Sequence, residues 1–368
     1  MDAKAAKEQT TLFAEPERPE GRRVLPVLEE QKDIRYFAAT PRSVMNGPKA
    51  TGMGFWSINP YVGCAFGCAY CYARYAHRYV AERLATAADH GEADALPTDE
   101  LPPWLAFERR IMIKREAPEL VRRALARPGT LEALKRETVV IGTATDPYQP
   151  AERRFRITRG VLEVLAEQTG IRVAIISKSP LVTRDIDVLR RINERSRLTV
   201  HISLITVDRE IARILEPRAP TPEARLRAIA RLRANGIETG VNCMPVLPGI
   251  TDAPEMIEEL VRAVKVADAS YINACALRLQ ATARDRYLPF IAAEFPELAA
   301  KYRRAYANGY QVSEKYRDGL AERFKIVCAR NGISFGRYNR GRAGVDDEDD
   351  AEDEIELEAM EAQLGLPI

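Results

Sequence analysis

Between Trp56 and Leu277 the chain switches repeatedly from a short apolar run to a longer amphipathic one, and that alternation restricts the fold more than any other feature. The short runs, expected as strands, are Trp56–Gly63, Thr138–Thr143, Arg172–Ser177, Leu198–Leu204, Glu238–Met244 and Ser270–Leu277. Helical periodicity fills the gaps at Tyr72–Ala85, Glu152–Gln168, Pro180–Glu194, Thr221–Asn235 and Ala253–Val266. Gly170 and Gly236 stand where a helix needs a left-handed cap, each just ahead of a strand. Strands separated by helices pair in parallel through right-handed crossovers. Six such units predict an α/β protein built as a partial (β/α)6 barrel of the TIM type. Parallel barrels gather their chemistry on the loops that follow the strands. Those loops are where functional residues are expected.

The flanks read differently. Residues 1–35 are polar and aperiodic, and are expected to form a disordered, flexible arm ahead of a core over 36–283. An insert at about 87–125 contains Pro97, Pro102 and Pro103 and is expected to hold a short strand at Phe107–Lys114. Helical stretches at Glu294–Asn308 and Glu314–Asn331 make a C-terminal extension over 284–345. The last segment, 346–368, is an acidic tail with eleven acidic residues and no basic one. A net charge of +2 therefore conceals a body of +13 (55 basic residues against 42 acidic), which suits a polyanionic partner such as DNA. No apolar run nears the roughly 20 residues of a membrane helix. Six cysteines without a signal peptide fit a reducing, cytoplasmic setting better than a disulfide framework.

Half of those cysteines fall in one run, Cys64-Ala65-Phe66-Gly67-Cys68-Ala69-Tyr70-Cys71. Three thiolates on one loop can ligate three irons of a cubane cluster and leave the fourth iron open to a substrate or cofactor. Two plainer readings stand beside this one. A structural zinc could take the three thiolates with His77, although no second ligand hairpin is present; unligated thiols are the other. The C-x3-C-x2-C spacing, with an aromatic just before the last cysteine, resembles the radical S-adenosylmethionine (SAM) superfamily. The run follows the first strand, where a parallel barrel carries its site.

The resemblance implies a [4Fe–4S] cluster on Cys64, Cys68 and Cys71, and SAM as a second cofactor beside Tyr70. Thr145 and Asp146, in Gly142-Thr143-Ala144-Thr145-Asp146-Pro147, match the polar motif that accepts from the SAM amino group; ordinary Asp-Pro turn chemistry is the alternative. Lys178 ends the third strand and could pair with the SAM carboxylate, or be a solvated lysine ahead of a helix. On the fourth strand Leu198, Val200, Ile202 and Leu204 share one face, which leaves Thr199, His201 and Ser203 toward the lumen. Ser203 is nearest the mouth and suits the ribose, whereas His201 reads as a core residue. Glu216 and Arg218 could reach cofactor or substrate, or form a surface ion pair. After the fifth strand the Val246-Leu247-Pro248-Gly249 turn lets backbone at Val246 and Pro248 approach an adenine. Asn242 is expected inward and Cys243 outward. On the sixth strand Tyr271, Asn273 and Cys275 share a face, and Arg278 follows at the mouth, suited to an anionic substrate.

Ile58-Asn59-Pro60-Tyr61-Val62-Gly63-Cys64, then Tyr70-Cys71-Tyr72-Ala73-Arg74 and Thr145-Asp146-Pro147-Tyr148-Gln149-Pro150, are similar to the branch of the superfamily related to spore photoproduct lyase, over roughly residues 50–280. That resemblance implies cleavage of SAM to a 5′-deoxyadenosyl radical and a lyase-type repair reaction on DNA. It also implies a one-electron reductant such as flavodoxin or ferredoxin. Members of the branch carry a hydrogen-donating cysteine before the Thr/Ser-Asp pair, but Thr143-Ala144-Thr145-Asp146 has no thiol. Cys275, Tyr148 or Tyr271 is then the expected donor, or the substrate is RNA, a peptide or a metabolite. Gln9-Thr10-Thr11-Leu12-Phe13 resembles the short peptides that dock on the bacterial sliding clamp.

Overall fold

Six parallel strands pair in sequence order, as the alternation requires: β1 Trp56–Ile58, β2 Thr138–Ile141, β3 Arg172–Ser177, β4 Arg197–Ser203, β5 Glu238–Val246 and β6 Tyr271–Ala276. The structure, a computed structural model, describes residues 33–51, 54–76 and 101–336, with the short strands Arg23–Val24, Val27–Gln31 and Asp94–Ala95. Met45–Asn46 pairs antiparallel with β1 and Ser334–Phe335 parallel with β6, so the sheet has eight strands and an open barrel form. His77, the Gln9–Phe13 motif and the acidic tail lie outside the described residues. Among the described residues no helix is long and apolar enough to cross a membrane.

The expected first strand, Trp56–Gly63, divides at Asn59-Pro60. Pro60 has no N–H to continue a ladder. Asn59 turns its amide to the β2 loop, donating from Nδ2 to Thr143 Oγ1 (3.0 Å) and accepting at Oδ1 from the Ala144 N–H (2.8 Å). Tyr61–Val62 then joins a second sheet with Arg110–Ile113, Ile34–Ala38 and Val27–Gln31. Two of those strands fall wholly or partly within the expected arm of residues 1–35, where sequence pattern showed no periodicity. In the insert, the expected strand Phe107–Lys114 is instead the end of a helix, Pro103–Arg109, followed by the strand Arg110–Ile113.

The helices begin where the chain offers caps. Thr221 accepts from the Ala224 N–H ahead of Pro222–Ala234, and Asp208 accepts from two N–H groups ahead of Arg209–Leu215, a helix the sequence pattern missed. The expected helix Glu152–Gln168 is two helices, Pro150–Phe155 and Ile157–Ala166, broken at Arg156 with φ of 53°. The buried Glu152 carboxylate accepts from the N–H groups of Thr158 and Arg159, capping the second helix from inside the first. Helix Ala281–Glu294 crosses the expected core boundary at residue 283. The extension is fastened to the barrel mouth: Tyr302 donates to the Pro248 carbonyl (2.8 Å) and Tyr306 to that of Leu277 (3.0 Å).

Candidate active site

The cysteine loop leaves the second sheet at Gly63 and is gripped through its backbone from several sides. Cys64 N–H donates to Phe107 O (2.9 Å) and Ala69 N–H to Leu215 O (2.9 Å). Gln149 accepts from the Ala65 N–H (3.0 Å) and donates to Gly63 O (2.9 Å), which also accepts from Thr145 Oγ1 (2.6 Å). On the other side Arg218 donates to Ala65 O (2.6 Å) and Arg74 to Cys68 O (2.7 Å). Glu108 sits between the two guanidinium groups, 3.0 Å from Arg218 and 3.4 Å from Arg74. A loop that must present three thiols has its own polar groups satisfied elsewhere.

Gly67 is where these anchors meet. Its φ of 66° lies in the left-handed region, and an added Cβ would run into Glu108 and Arg218. Gly67→Ala is expected to cost about 1–3 kcal/mol from the backbone alone and to loosen the loop. Iron bound per chain after anaerobic reconstitution should fall while the circular dichroism of the barrel stays native; full iron loading would contradict this account.

The loop forms one wall of a cavity of about 510 Å³ at the C-terminal ends of the strands. Cys64, Cys68, Cys71 and Tyr70 line it together with Thr145, Asp146, Lys178, Ser203, Cys275 and Arg278. Burial pushes all three loop thiols up, Cys68 to about 12; Cys68 and Cys71 raise Cys64 further, and Cys71 raises Cys68. They therefore hold their protons until a cation displaces them. Burial also pushes the Cys275 thiol up, and Arg278 works against that.

Several side chains serve the scaffold of the cavity more than its interior. Asp146 accepts from Ser177 Oγ (2.8 Å), the Lys178 N–H (2.7 Å) and the Tyr148 N–H (2.8 Å), so its carboxylate joins the β2 loop to the β3 loop. Burial pushes that carboxyl up, against these hydrogen bonds. The Thr145 hydroxyl is spent on Gly63. Glu216 is fully buried, not part of a surface pair: it accepts from the Tyr70 hydroxyl, ion-pairs with the buried Arg225, and lies 3.9 Å from Lys178. The Lys178 ammonium stands 5.6 Å over the Tyr70 ring.

Other expected site residues sit elsewhere. Tyr148 faces away from the cavity, beside Asp185 and Glu152. Tyr271 lies at the barrel floor over Gly240, where a Cβ would strike its ring, with its hydroxyl 3.1 Å from His201 Nδ1. Burial lowers that histidine to about 4, so it is neutral. Val246 and Pro248 are covered by the β6 loop and the C-terminal helices, and a register shift after Cys243 brings Met244 and Pro245 to the cavity instead. Arg218 braces the loop from behind. Asn242 does line the cavity and is held by Asn273 (3.0 Å).

Among the described residues no three His, Cys, Asp or Glu side chains converge on a single metal ion. A cubane requires no such convergence, because each cysteine meets a different iron. Three thiols on one loop, all lining the same roomy cavity, fit that group. A sequence model of the radical SAM superfamily matches residues 58–264. The chain belongs to the radical SAM superfamily. It is an enzyme whose cofactors are a [4Fe–4S] cluster and SAM. An uncharacterized protein of Mycobacterium tuberculosis is 31% identical over 299 residues, 81% of each chain. One of Methanocaldococcus jannaschii is 25% identical over 202 residues, 55% of this chain and 64% of its own. Among solved structures, spore photoproduct lyase complexed with dinucleoside spore photoproduct superposes with a TM-score of 0.55 at 15% identity, over 82% of this chain and 81% of that one. The radical SAM barrel of this chain is thus shared with that lyase.

Asn59 and Gln149 lay in plain view within the quoted motifs, but their roles as latches did not. Arg74 likewise closes a quoted motif without showing its contact to Cys68 O, and Glu108 and Arg225 carried no sign of their roles.

Proposed function

We propose that this radical SAM enzyme carries out a lyase-type reaction on damaged DNA. The observation that carries the reading is the shared cavity: Cys275 and Arg278, on β6 and just after it, line the same space as the three loop thiols. A hydrogen-atom donor and a grip for a phosphodiester then flank the place where a radical would arise. The basic body and the fold in common with spore photoproduct lyase support the same substrate class.

In this reading Cys64, Cys68 and Cys71 hold the irons. Lys178 faces the SAM carboxylate and Ser203 the ribose, while Asp146 and Thr145 fix the backbone that meets the amino group. The bound cluster and SAM supply a carbon-centred radical able to abstract hydrogen. The polypeptide orients the lesion against it and keeps water and stray donors out. Cys275 then gives its S–H hydrogen to the substrate radical: one S–H bond breaks as one C–H bond forms, the unpaired electron is left on sulfur, and one electron from the reductant with a proton from solvent restores the thiol.

The test is anaerobic reconstitution with dithionite and SAM, followed by ultraviolet-irradiated oligonucleotides. We expect 5′-deoxyadenosine, and loss of spore photoproduct or of cyclobutane dimers, assayed separately. If 5′-deoxyadenosine forms and neither lesion disappears, the DNA reading falls. One observation favours a second reading, an RNA, peptide or metabolite substrate: Thr143–Asp146 carries no thiol where the lyase branch has one.

A further inference from the structure

Several polar side chains on the wall of the active cavity are spent inside the protein. Tyr72 donates to the Thr143 carbonyl and Tyr70 to Glu216, while Asn242 Oδ1 accepts from Asn273. The Asp146 carboxylate and the Thr145 hydroxyl are engaged with neighbouring loops. Gln280 lines the same cavity and differs: its Oε1 is buried and accepts no hydrogen bond among the described residues. A buried amide oxygen without a donor is costly, and a ligand that brings an N–H removes the cost. The backbone holds this side chain in place. Gln280 stands between β6 and helix Ala281–Glu294, and its carbonyl accepts from the Arg284 N–H (2.7 Å). Cys275 and Arg278 lie on the same stretch of wall.

A carboxamide sets one donor and one acceptor side by side, so it is matched by a ligand edge carrying an acceptor beside a donor. In thymine that edge is the imide N–H with its neighbouring carbonyl. Ultraviolet damage to thymine falls on the ring double bond and the methyl group, across the ring from the imide, so the edge survives in the lesion. We propose that Gln280 is a specificity-determining residue that takes the imide edge of a damaged thymine-type base. The N–H of the base meets Oε1 and its carbonyl meets the amide N–H of the same side chain, while the damaged side of the ring is left free for chemistry. The inference rests on the DNA reading above and adds to it the class of base and the contact that reads it.

The test measures Kd with full-length holoenzyme and SAM, without reductant, so that binding is read and not turnover. The probes are oligonucleotides with a single spore photoproduct or cyclobutane dimer, each made with and without a methyl group on the imide nitrogens. Wild type should bind the methylated lesion about tenfold more weakly, the scale of one bidentate base contact. Gln280→Met keeps the length of the side chain without its amide, and should bind both forms alike at the weaker affinity. Gln280→Ala should do the same, which separates loss of the contact from altered packing; iron content equal to wild type checks that both variants are folded. A preference that persists in both variants places the imide contact on another residue and overturns the assignment. So does a wild type that prefers lesion to intact DNA but ignores the methyl group. A wild type that binds neither lesion better than intact DNA removes the DNA reading itself, and this assignment with it.

Discussion

Glu216→Ala is expected to destabilise the protein by about 3–5 kcal/mol, because it strands buried positive charge. Arg225 is almost fully buried and its guanidinium reaches Glu216, Ser203 O (3.0 Å) and Pro220 O (2.9 Å). Lys178 lies in the same enclosure. Without the carboxylate, two cations share one buried space with no anion between them. That cost is a large part of the roughly 5–15 kcal/mol that holds a typical domain together. Burial pushes the Glu216 carboxyl up, but Arg225 and Lys178, with hydrogen bonds from Arg225 and Tyr70, outweigh it and hold the group below its ordinary value. The folded value is therefore below the unfolded one. The stability it confers is present above the ordinary carboxylate range and is lost as pH falls through the folded value. Denaturant unfolding of wild type and variant at neutral pH should show the difference, and it should shrink in acid. Glu216→Gln keeps an acceptor for Tyr70 without the charge and should fall between the two. A variant as stable as wild type would mean that Arg225 finds water or another anion.

The barrel was legible because its signals are local. β4 displays the two-residue period that separates a lumen face from a helix-packed face, and Ser203 accordingly lines the cavity while Val200 and Ile202 are buried outside it. Asn242 and Cys275 follow from the same alternation on β5 and β6. What escaped is set by contacts distant in sequence. Glu216 looks like any acidic residue near Arg218, and only the packing of Arg225 and Tyr70 around it makes it a buried anion. Glu108 meets Arg74 and Arg218 from an insert whose place could not be read from periodicity. The split at Asn59-Pro60 was written in the residues, yet the partner strand Ile34–Ala38 was not, and Arg110–Ile113 was legible only within a longer run, Phe107–Lys114, since short strands at a sheet's periphery carry little pattern. Val246 and Pro248 lie off the cavity for a related reason: a one-residue irregularity after Cys243 puts Met244 and Pro245 on its wall instead.

Cys275→Ala is expected to uncouple the reaction, slowing substrate turnover roughly a hundredfold, or about 2.7 kcal/mol of barrier, while SAM is still cleaved to 5′-deoxyadenosine. A hydrogen-atom donor must keep its proton and electron together, so a neutral thiol is required and a thiolate is useless. Burial raises the Cys275 thiol and Arg278 opposes that only in part, which leaves the S–H form in place at neutral pH. Arg278, close in the chain, can still hold an anionic substrate against the cavity wall in the variant, so affinity should change little and the loss should fall on the step after hydrogen abstraction. Cys275→Ser should behave like the alanine variant, because an O–H bond is too strong to give up its hydrogen to a carbon radical, although it restores the size and polarity of the side chain. The ratio of 5′-deoxyadenosine to product, near a fixed value in the wild type, should rise in both variants. A donor role fails if either variant keeps that ratio. If both stop forming 5′-deoxyadenosine, with iron content unchanged, Cys275 instead shapes the SAM pocket, and the hydrogen returned to the substrate comes from another group.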